Sequence, residues 1–369
     1  MDKLTISKIV LFLTLVFIFN VLYVPDIFHQ YRVKATTITT KRESIGKIIW
    51  PAIIFCMEKP FKLSVLRNKI GEIPNRNIFT TNDQNVKYSK SLEDLYRKAS
   101  YIKERDFKLN LNGKDDFLTV EELPTEDYGM CYSILHNTSS NSEYILFSIT
   151  PNTNLMDNTE DNPKGVSIFI TSENTRHFLI NGLWPLKPLI VSKKFSPKYF
   201  LRAKVEEIEW KYYDGNPDCQ RGCKMSQCLK WSDILESKDK CKIHCVPIVL
   251  SGVYKNVSEP ICNTLKENTC MYKKYRKLRG KNVSNCRPPQ NDIQYDAYVK
   301  DDEYLARNND KDTIHVSITL PSNTRVVKEE IRIHDNVSLI GTLGGTLGLM
   351  IGFSFYGSFD YILDKIFNH

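Results

Sequence analysis

The residues of this sequence best suited to chemistry lie near its carboxyl end, in a stretch without charge between Asp335 and Asp360. Its small and polar members are Gly341, Gly344, Gly345, Gly348, Gly352 and Ser354, and Asp360 closes it. Glycines four residues apart line one face of a helix and let backbones approach closely, although each costs about 1 kcal/mol of helix propensity relative to Ala. Glycine carbonyls and serine hydroxyls can replace part of the water around a small hard cation, and several aspartates would concentrate cations nearby. The glycine spacing by itself indicates only a helix that needs close contact with another backbone.

Each of these residues also has a simpler interpretation. Spaced glycines alone are more typical of helix dimerisation than of a cation path. Asp360 could mark only the edge of a membrane, and Gly341 could serve helix packing alone. The sequence around the glycines must therefore decide between the interpretations.

Two apolar segments are long enough to cross the roughly 30 Å hydrocarbon layer of a membrane. The first, at residues 9–25, has no charge between Lys8 and Asp26, and the second is residues 336–360. A cleaved signal peptide is the alternative for the first segment. A retained helix is favoured, because the apolar run is longer than most signal peptides carry and residues 23–26 do not resemble a small-residue cleavage site.

The flanking charges orient the two segments. Lys3, Lys8 and Lys365 place residues 1–8 and 361–369 in the cytoplasm by the positive-inside rule. Residues 26–335 are then extracellular, and we expect a multi-pass protein of the plasma membrane. The remaining polar part of the 369-residue chain is large enough for a substantial extracellular domain.

Cysteines and glycosylation signals agree with this orientation. All ten cysteines lie between the two segments, an even set that predicts disulfides in an oxidising compartment: Cys56, Cys131, Cys219, Cys223, Cys228, Cys241, Cys245, Cys262, Cys270 and Cys286. Acceptor sequences for glycans begin at Asn137, Asn256 and Asn282, whereas the one at Asn336 lies against the membrane and is expected to stay unmodified. Zinc binding by the cysteines around His244 is a minor alternative to disulfides.

The composition excludes several classes of function. The net charge of +8 is mild for this length, and its densest part, residues 272–281, mixes basic and aromatic residues. We interpret that part as a solvated helix face, with anionic glycans as the alternative and no role in binding nucleic acid. The seven histidines form no catalytic pattern and no phosphate-binding loop is present, so we expect no enzyme, no metal and no cofactor.

Alternation and β-branched residues predict a mainly β extracellular part. Strands are expected at residues 33–40, 50–61, 127–135, 165–171, 199–210, 313–320 and 325–334. Helices are expected between residues 63 and 101, as at 91–98, and within the cysteine-dense block 219–286, whereas the polar stretch 137–164 is predicted to be loop. A predicted strand adjoins each membrane segment, which would link movement outside to the membrane.

Four stretches carry distinctive motifs in a fixed order. They are residues 50–61 with Cys56 and Pro60, residues 129–132, the cysteines of 219–223 and 240–247, and the glycine-rich residues 343–354. Together they resemble the family of epithelial sodium channels, degenerins and acid-sensing channels. The resemblance covers nearly the whole chain, and residues 343–354 are its most specific part.

The resemblance implies an α+β membrane protein that forms a trimeric channel. Each subunit would give two transmembrane helices flanking a disulfide-rich domain with a β-sheet palm, a β-ball and a helical thumb. It implies passage of sodium, block by amiloride-type compounds, and homo- or heterotrimers with related subunits in membrane lipid. By residue match, Gly352, Phe353 and Ser354 would form the selectivity filter, Gly341 the position where bulky residues hold degenerins open, and Asp360 the acid deeper in the helix, with Gly344, Gly345 and Gly348 lining the same pore.

The sequence departs from the family pattern at a few positions. Phe353 stands where the family has a small residue, Thr342 where an acid is common, and the eight residues before the first span hold no His-Gly pair. An accessory subunit that conducts only in heteromers is therefore one alternative. A non-conducting receptor or adhesion domain held by the second span is another, and an ATP-gated trimeric channel a third, although no lysine and arginine cluster indicates a triphosphate site.

Overall fold

A computed structural model of the chain gives the positions of most of the predicted extracellular part. It describes residues 10, 14, 17, 21, 23–44, 49–70, 91–112, 118–125, 128–136, 144–152, 155, 160–173, 199–213, 216–220, 231–236, 241–254, 256–282, 289–304, 313–319, 324–333, 335–346 and 348. The chain divides into two units, Lys41–Lys328 and a second unit made of Met1–Thr40 with Glu329–His369.

The described elements are mainly strands, with a few short helices and one long one. The helices are α1 (Val24–Arg32), α2 (Leu63–Ile70), α3 (Leu92–Ala99), α4 (Trp231–Glu236) and α5 (Leu265–Asn282), with a 3-10 turn at Ile248–Leu250. The strands are β1 (Thr36–Ser44), β2 (Ala52–Met57), β3 (Phe107–Asn112), β4 (Leu118–Pro124), β5 (Met130–His136), β6 (Tyr144–Pro151), β7 (Val166–Thr171), β8 (Tyr199–Lys211), β9 (Asn216–Gln220), β10 (Pro289–Tyr304), β11 (Ile314–Thr319) and β12 (Thr324–Arg332). A further helix covers residues 336–346, and residue 348 is also helical.

An eight-stranded sheet contains the two strands that adjoin the predicted membrane segments. Its order is β1-β12-β8-β11-β6-β3, and β10 pairs with both β8 and β9. Strand β11 confirms its predicted alternation, since Ile314, Val316 and Ile318 are all buried. It runs parallel to β8 and antiparallel to β6, so its apolar side chains lie in the middle of the sheet.

A four-stranded sheet, in the order β4-β5-β2-β7, is buried more deeply. Every residue of β2 and β7 is buried, which explains why both read as continuous apolar runs rather than as alternating ones. Phe55 stacks on Tyr132 at 5.4 Å between ring centroids, and both rings meet Phe107 edge to face. This aromatic cluster fills the space beside the sheet, where stacked and edge-to-face pairs are the favoured arrangements.

The prediction of loop over residues 137–164 is wrong in its middle. Strand β6 occupies Tyr144–Pro151 and lies between β3 and β11. Its inward residues Ile145, Phe147 and Ile149 alternate and are buried. The polar residues on both sides hid this short alternation, and the strand is stable because two neighbouring strands satisfy its backbone groups.

The prediction for residues 272–281 is also only partly correct. They do lie in a helix, α5, and Lys273, Arg276 and Lys277 are exposed. However, Tyr272 and Tyr275 are fully buried, and Lys274 is 2% exposed and donates to the Leu235 carbonyl. The two tyrosines bury an aromatic face of the helix, so the segment is amphipathic rather than solvated all round.

Candidate functional site

The helix that carries the predicted gate glycines has a well-defined beginning. The Asp335 carboxylate accepts from the Ser338 amide at 2.6 Å, while the Ser338 hydroxyl accepts from the Asp335 amide at 2.8 Å. This reciprocal cap satisfies amides at a helix start that would otherwise lack partners. Hydrogen bonds from the Ser338 amide and hydroxyl hold the pKa of Asp335 below its ordinary value. The helix therefore starts at Asn336.

The glycines of this helix share one exposed face. In the described part of the chain, no atom lies within 4 Å of the Cβ that a larger residue would place at Gly341, Gly344, Gly345 or Gly348. Apart from the capping Ser338, the half-buried residues of the same helix recur at helical spacing on the opposite side: Leu339, Thr342, Leu343 and Thr346. The glycine face is thus turned away from the described remainder of its own chain.

The rest of the predicted pore lies outside the described residues. This holds for the filter residues Gly352, Phe353 and Ser354 and for Asp360. Their assignment stays a prediction from sequence. The first predicted membrane segment, residues 9–25, is described only at 10, 14, 17, 21 and 23–25, and residues 10, 14 and 17 are helical.

The two strands next to the predicted membrane segments are neighbours in the sheet. The Ile333 amide donates to the Ala35 carbonyl at 3.0 Å, and the Thr39 hydroxyl contacts the Glu329 carbonyl at 3.4 Å. The partner residue number falls from 333 to 329 as the chain advances from 35 to 39, so β1 and β12 run antiparallel. The predicted strand before or after each membrane segment is confirmed, and the two are joined directly.

Strand β12 is anchored at its other end by charge. The Arg325 guanidinium lies 3.4 Å from a Glu207 carboxylate oxygen and 3.2 Å from one of Glu209, both on β8. Glu207 is 4% exposed. Burial raises the pKa of Glu207, and Arg325 acts against that shift without cancelling it. A buried carboxylate with one guanidinium partner makes this end of the strand costly to detach.

Two of the distinctive motifs converge in the four-stranded sheet. Cys56 on β2 forms a disulfide with Cys131 on β5, and the two residues are also direct partners across the strands. Gly129, which starts the second motif, has a φ of +68°, and a Cβ there would lie 2.1 Å from the Pro60 carbonyl oxygen. The Tyr132 hydroxyl donates to the Tyr101 carbonyl and accepts from the Lys103 amide. The motif residues therefore stabilise this sheet by a disulfide, a close backbone contact and hydrogen bonds.

Two further disulfides hold the cysteine-dense block around α5. Cys241 pairs with Cys270 and Cys245 with Cys262. Both Cys241 and Cys245 are thereby removed from the zinc alternative, and the described residues contain no group of three or more metal-binding side chains. The side chains of Cys219, Cys223, Cys228 and Cys286 lie outside the described part of the chain.

The predicted glycan acceptors are only partly described. Asn256 is exposed in a turn, as an acceptor must be. Asn282 is the last residue of α5, and its side chain is outside the described set, as is the whole of Asn137. Glycosylation at these three positions stays a prediction.

Comparison with known proteins decides the family. A family model described as amiloride-sensitive sodium channel matches residues 9–362, nearly the whole chain. The chain belongs to the amiloride-sensitive sodium channel family. Proteins of this family are ion channels of the plasma membrane and not enzymes, and they function as oligomeric assemblies. The family resemblance found in the sequence is therefore confirmed.

The other comparisons add little to the family assignment. No curated protein matches the chain. A cryo-EM structure of a proton-activated chloride channel is similar over 98% of this chain and 100% of its own, at 8% identity and a TM-score of 0.38. The crystal structure of Erv41p is similar over 79% of this chain and 100% of its own, at 7% identity and a TM-score of 0.25. Both likenesses are too distant to carry an argument.

The two predicted membrane spans are only partly described. Within the described residues, no helix combines the length and the apolar character that a membrane crossing needs. The boundaries predicted for the two spans, 9–25 and 336–360, stay predictions.

Nothing in the sequence indicated the contact between α1 and the helix that starts at residue 336. The Tyr31 hydroxyl, at the end of α1, donates to the Asn336 side-chain oxygen at 2.6 Å. The two residues are 305 positions apart, so no local pattern could pair them. The cap formed by Asp335 and Ser338 could have been found, since a capping residue three positions before a polar partner is a local signal.

Proposed function

We propose that this chain is a subunit of a trimeric channel that passes sodium across the plasma membrane and is blocked by amiloride. The observation that carries the proposal is the family match over residues 9–362, because it takes in both predicted spans and the glycine-rich segment between Gly341 and Ser354. Sodium is the permeant ion, and the site needs no cofactor.

The exposed glycine face supports an assembly of several chains. Glycine costs about 1 kcal/mol of helix propensity relative to Ala, so four of them on one face need a reason. No described part of the same chain approaches that face. Small residues allow backbones from neighbouring helices to approach closely in a membrane. Three copies of the helix that meet at this face would supply the missing contacts.

The filter residues have the chemistry that sodium requires. Backbone carbonyls near Gly352 and the hydroxyl of Ser354 offer oxygen ligands, which small hard cations prefer. Three aspartates at residue 360 would raise the local concentration of cations. If the helix of residues 336–346 continued to Gly352, its rise of about 1.5 Å per residue would place Gly341 about 16 Å before Gly352 and separate a gate from the filter.

The first test compares two variants that differ in one hydroxyl. Ser354→Thr keeps the hydroxyl oxygen. Ser354→Val introduces a side chain of nearly the same shape as threonine but without the hydroxyl. In cells or oocytes that express the full chain, we expect amiloride-sensitive sodium current from wild type and Ser354→Thr, and loss of that current in Ser354→Val. Surface labelling of each variant ensures that equal amounts of protein are compared.

Recording with related subunits present separates the remaining alternatives. Current only in mixtures would indicate an accessory subunit of heteromers. A chain that reaches the surface and alters no sodium current in any combination would contradict the proposed function and favour the non-conducting receptor. Equal currents from the Thr and Val variants would contradict the assignment of Ser354 to the filter.

A further inference from the structure

A side-chain hydrogen bond from Tyr31 to Asn336 joins α1 to the helix that starts at residue 336. Its oxygen-to-oxygen distance of 2.6 Å is at the short end of the range for O–H···O bonds. Tyr31 is the penultimate residue of α1, and Asn336 is the first residue of the other helix. The bond thus joins the end of the element after the first predicted span to the beginning of the second.

The Tyr31 side of the contact is held by the way α1 ends. The Val33 amide donates to the His29 carbonyl at 2.9 Å and the Ala35 amide to the Gln30 carbonyl at 2.9 Å. Lys34 takes a positive φ of 54°, a conformation that commonly ends helices. Ile27, one turn before Tyr31 on the same face, is buried. The phenol therefore projects from a fixed backbone.

The Asn336 side is held equally well. The cap between Asp335 and Ser338 encloses Asn336, and the Ile333 amide is bonded to the Ala35 carbonyl. The pairing of β1 with β12 already brings the end of α1 close to the start of the helix at residue 336. The Tyr31 bond adds a single hydrogen bond to that pairing. It can break without separating the strands, whereas movement of either helix by more than about 1 Å would lengthen it beyond hydrogen-bond range.

The position of the contact relates it to the predicted gate. Gly341 follows Asn336 by five residues, about 7.5 Å along the same helix axis. A rigid tilt or rotation of residues 336–341 moves Asn336 together with Gly341, because the helix is continuous between them.

We propose that the hydrogen bond from Tyr31 to Asn336 is a gating contact that is formed in one state of the channel and broken in the other. The inference rests on the proposed function, since it requires a channel that opens and closes. Tyr31 and Asn336 are positioning residues in this scheme, because they orient the helix of Gly341 and do not touch the permeant ion. One hydrogen bond of this kind changes a two-state equilibrium by about fivefold per subunit.

A double-mutant cycle tests the contact in the full-length channel. Tyr31→Phe removes only the donor and Asn336→Ala removes the acceptor. We expect each to change the ratio of open to closed channels in the same direction, by about fivefold for every subunit that carries the variant, and the double variant to change it no further. Asn336→Asp keeps an acceptor oxygen while removing the glycan acceptor sequence, and is expected to gate like wild type. Tyr298→Phe, at an exposed tyrosine of β10, is the matched control and should leave gating unchanged.

The outcomes distinguish this inference from the proposed function. Wild-type current with normal gating in Tyr31→Phe, or additive effects in the double variant, would overturn the gating contact alone. Absence of current from wild type in every subunit combination would overturn both. A Tyr31→Cys/Asn336→Cys pair adds a measurement without current. Because a tyrosine side chain reaches farther than a disulfide can, the two thiols are linked with a short bifunctional thiol reagent. A linked peptide seen by mass spectrometry is expected from the contact, and its absence, when each single cysteine variant reacts with the reagent, would contradict it.

Discussion

Glycine plays opposite roles in the two regions of this molecule that carry the family motifs. Gly129, in the four-stranded sheet, has a positive φ, and a Cβ would lie 2.1 Å from a backbone oxygen of Pro60. Gly341, Gly344, Gly345 and Gly348 have helical backbones, and a Cβ at any of them would meet nothing within 4 Å in the described chain. The fold of the subunit thus requires glycine at position 129. At the four helical positions, no contact within the described chain requires it.

The difference shows where each motif acts. Gly129 serves the folding of the subunit, because any side chain at its position would collide with the backbone. The helical glycines could be substituted by alanine without a collision in the described chain and with a gain in helix propensity. They are therefore expected to serve a contact outside the described chain. The comparison therefore assigns the first motif to the stability of the unit Lys41–Lys328 and supports the proposed role of the second in assembly.

The largest expected effect is that of Gly129→Ala. The added methyl forces Pro60 to move and places a non-glycine residue in the left-handed region, so we expect a loss of stability on the order of 3 kcal/mol or more. Thermal unfolding of the purified full-length protein, together with its amount at the cell surface, measures this loss. A melting temperature equal to that of wild type would break the comparison.

The disulfide beside Gly129 provides the next largest effect. Cys56→Ser combined with Cys131→Ser leaves the aligned strands in place but removes the covalent link between them. We expect a cost of about 2 to 4 kcal/mol in the free energy of unfolding, mainly because the unfolded chain gains freedom. The same measurement on Cys241→Ser/Cys270→Ser shows whether the block around α5 depends more on its disulfide. An unchanged unfolding midpoint in both double variants would contradict the stabilising role.

A smaller and opposite effect on the subunit is expected from Gly345→Ala. This is the same substitution as Gly129→Ala, but it should not destabilise the extracellular domain, because the added Cβ meets no described atom. Alanine even favours the helix by about 1 kcal/mol. The proportion of trimer on native gels and the current per surface channel should fall instead. If Gly345→Ala lowered the melting temperature as much as Gly129→Ala, the division between folding and assembly would be wrong.

The smallest expected effect is a pH-dependent change in stability from two buried carboxylates, Asp106 and Asp292. Burial would raise the pKa of Asp106, but hydrogen bonds from Arg105, from the Ile102 amide and from Lys62 outweigh it, so that its pKa lies below the ordinary value. Burial raises the pKa of Asp292, and the Gln294 amide only partly offsets this shift. One Asp292 carboxylate oxygen is buried with no hydrogen-bond partner in the described chain.

The two acids should respond to pH in opposite directions. Asp106 stabilises the domain above its unfolded pKa, and that contribution disappears as the pH falls through its lower folded pKa. The contribution of Asp292 is complete at acidic pH and disappears as the pH rises through its higher folded pKa. We therefore expect Asp292→Asn to raise the melting temperature slightly at pH 7 and not at pH 4, whereas Asp106→Asn should lower it most at neutral pH. A gain from Asp292→Asn that is independent of pH would contradict the buried charge as its cause.

Strands were predicted correctly where a short stretch of sequence carries a clear hydrophobic pattern. Strand β11 alternates within six residues, and β2 and β7 are uninterrupted apolar runs, so pattern alone locates them. Strand β6 was missed because its eight residues lie among polar neighbours, and β10 because its residues are mostly polar. Both become strands through pairing, β6 with β3 and β11 and β10 with β8. Backbone pairing needs no particular side chain, so it leaves little trace in the sequence.

Residue types at short spacing are sufficient to predict the family and the position of the glycine-rich segment. They do not reveal that Gly129 faces Pro60, that β1 lies beside β12, or that Tyr31 reaches Asn336. These contacts join residues far apart in the chain. They form because the sheets bring distant segments to within a few ångströms, and no local pattern encodes which segments those are.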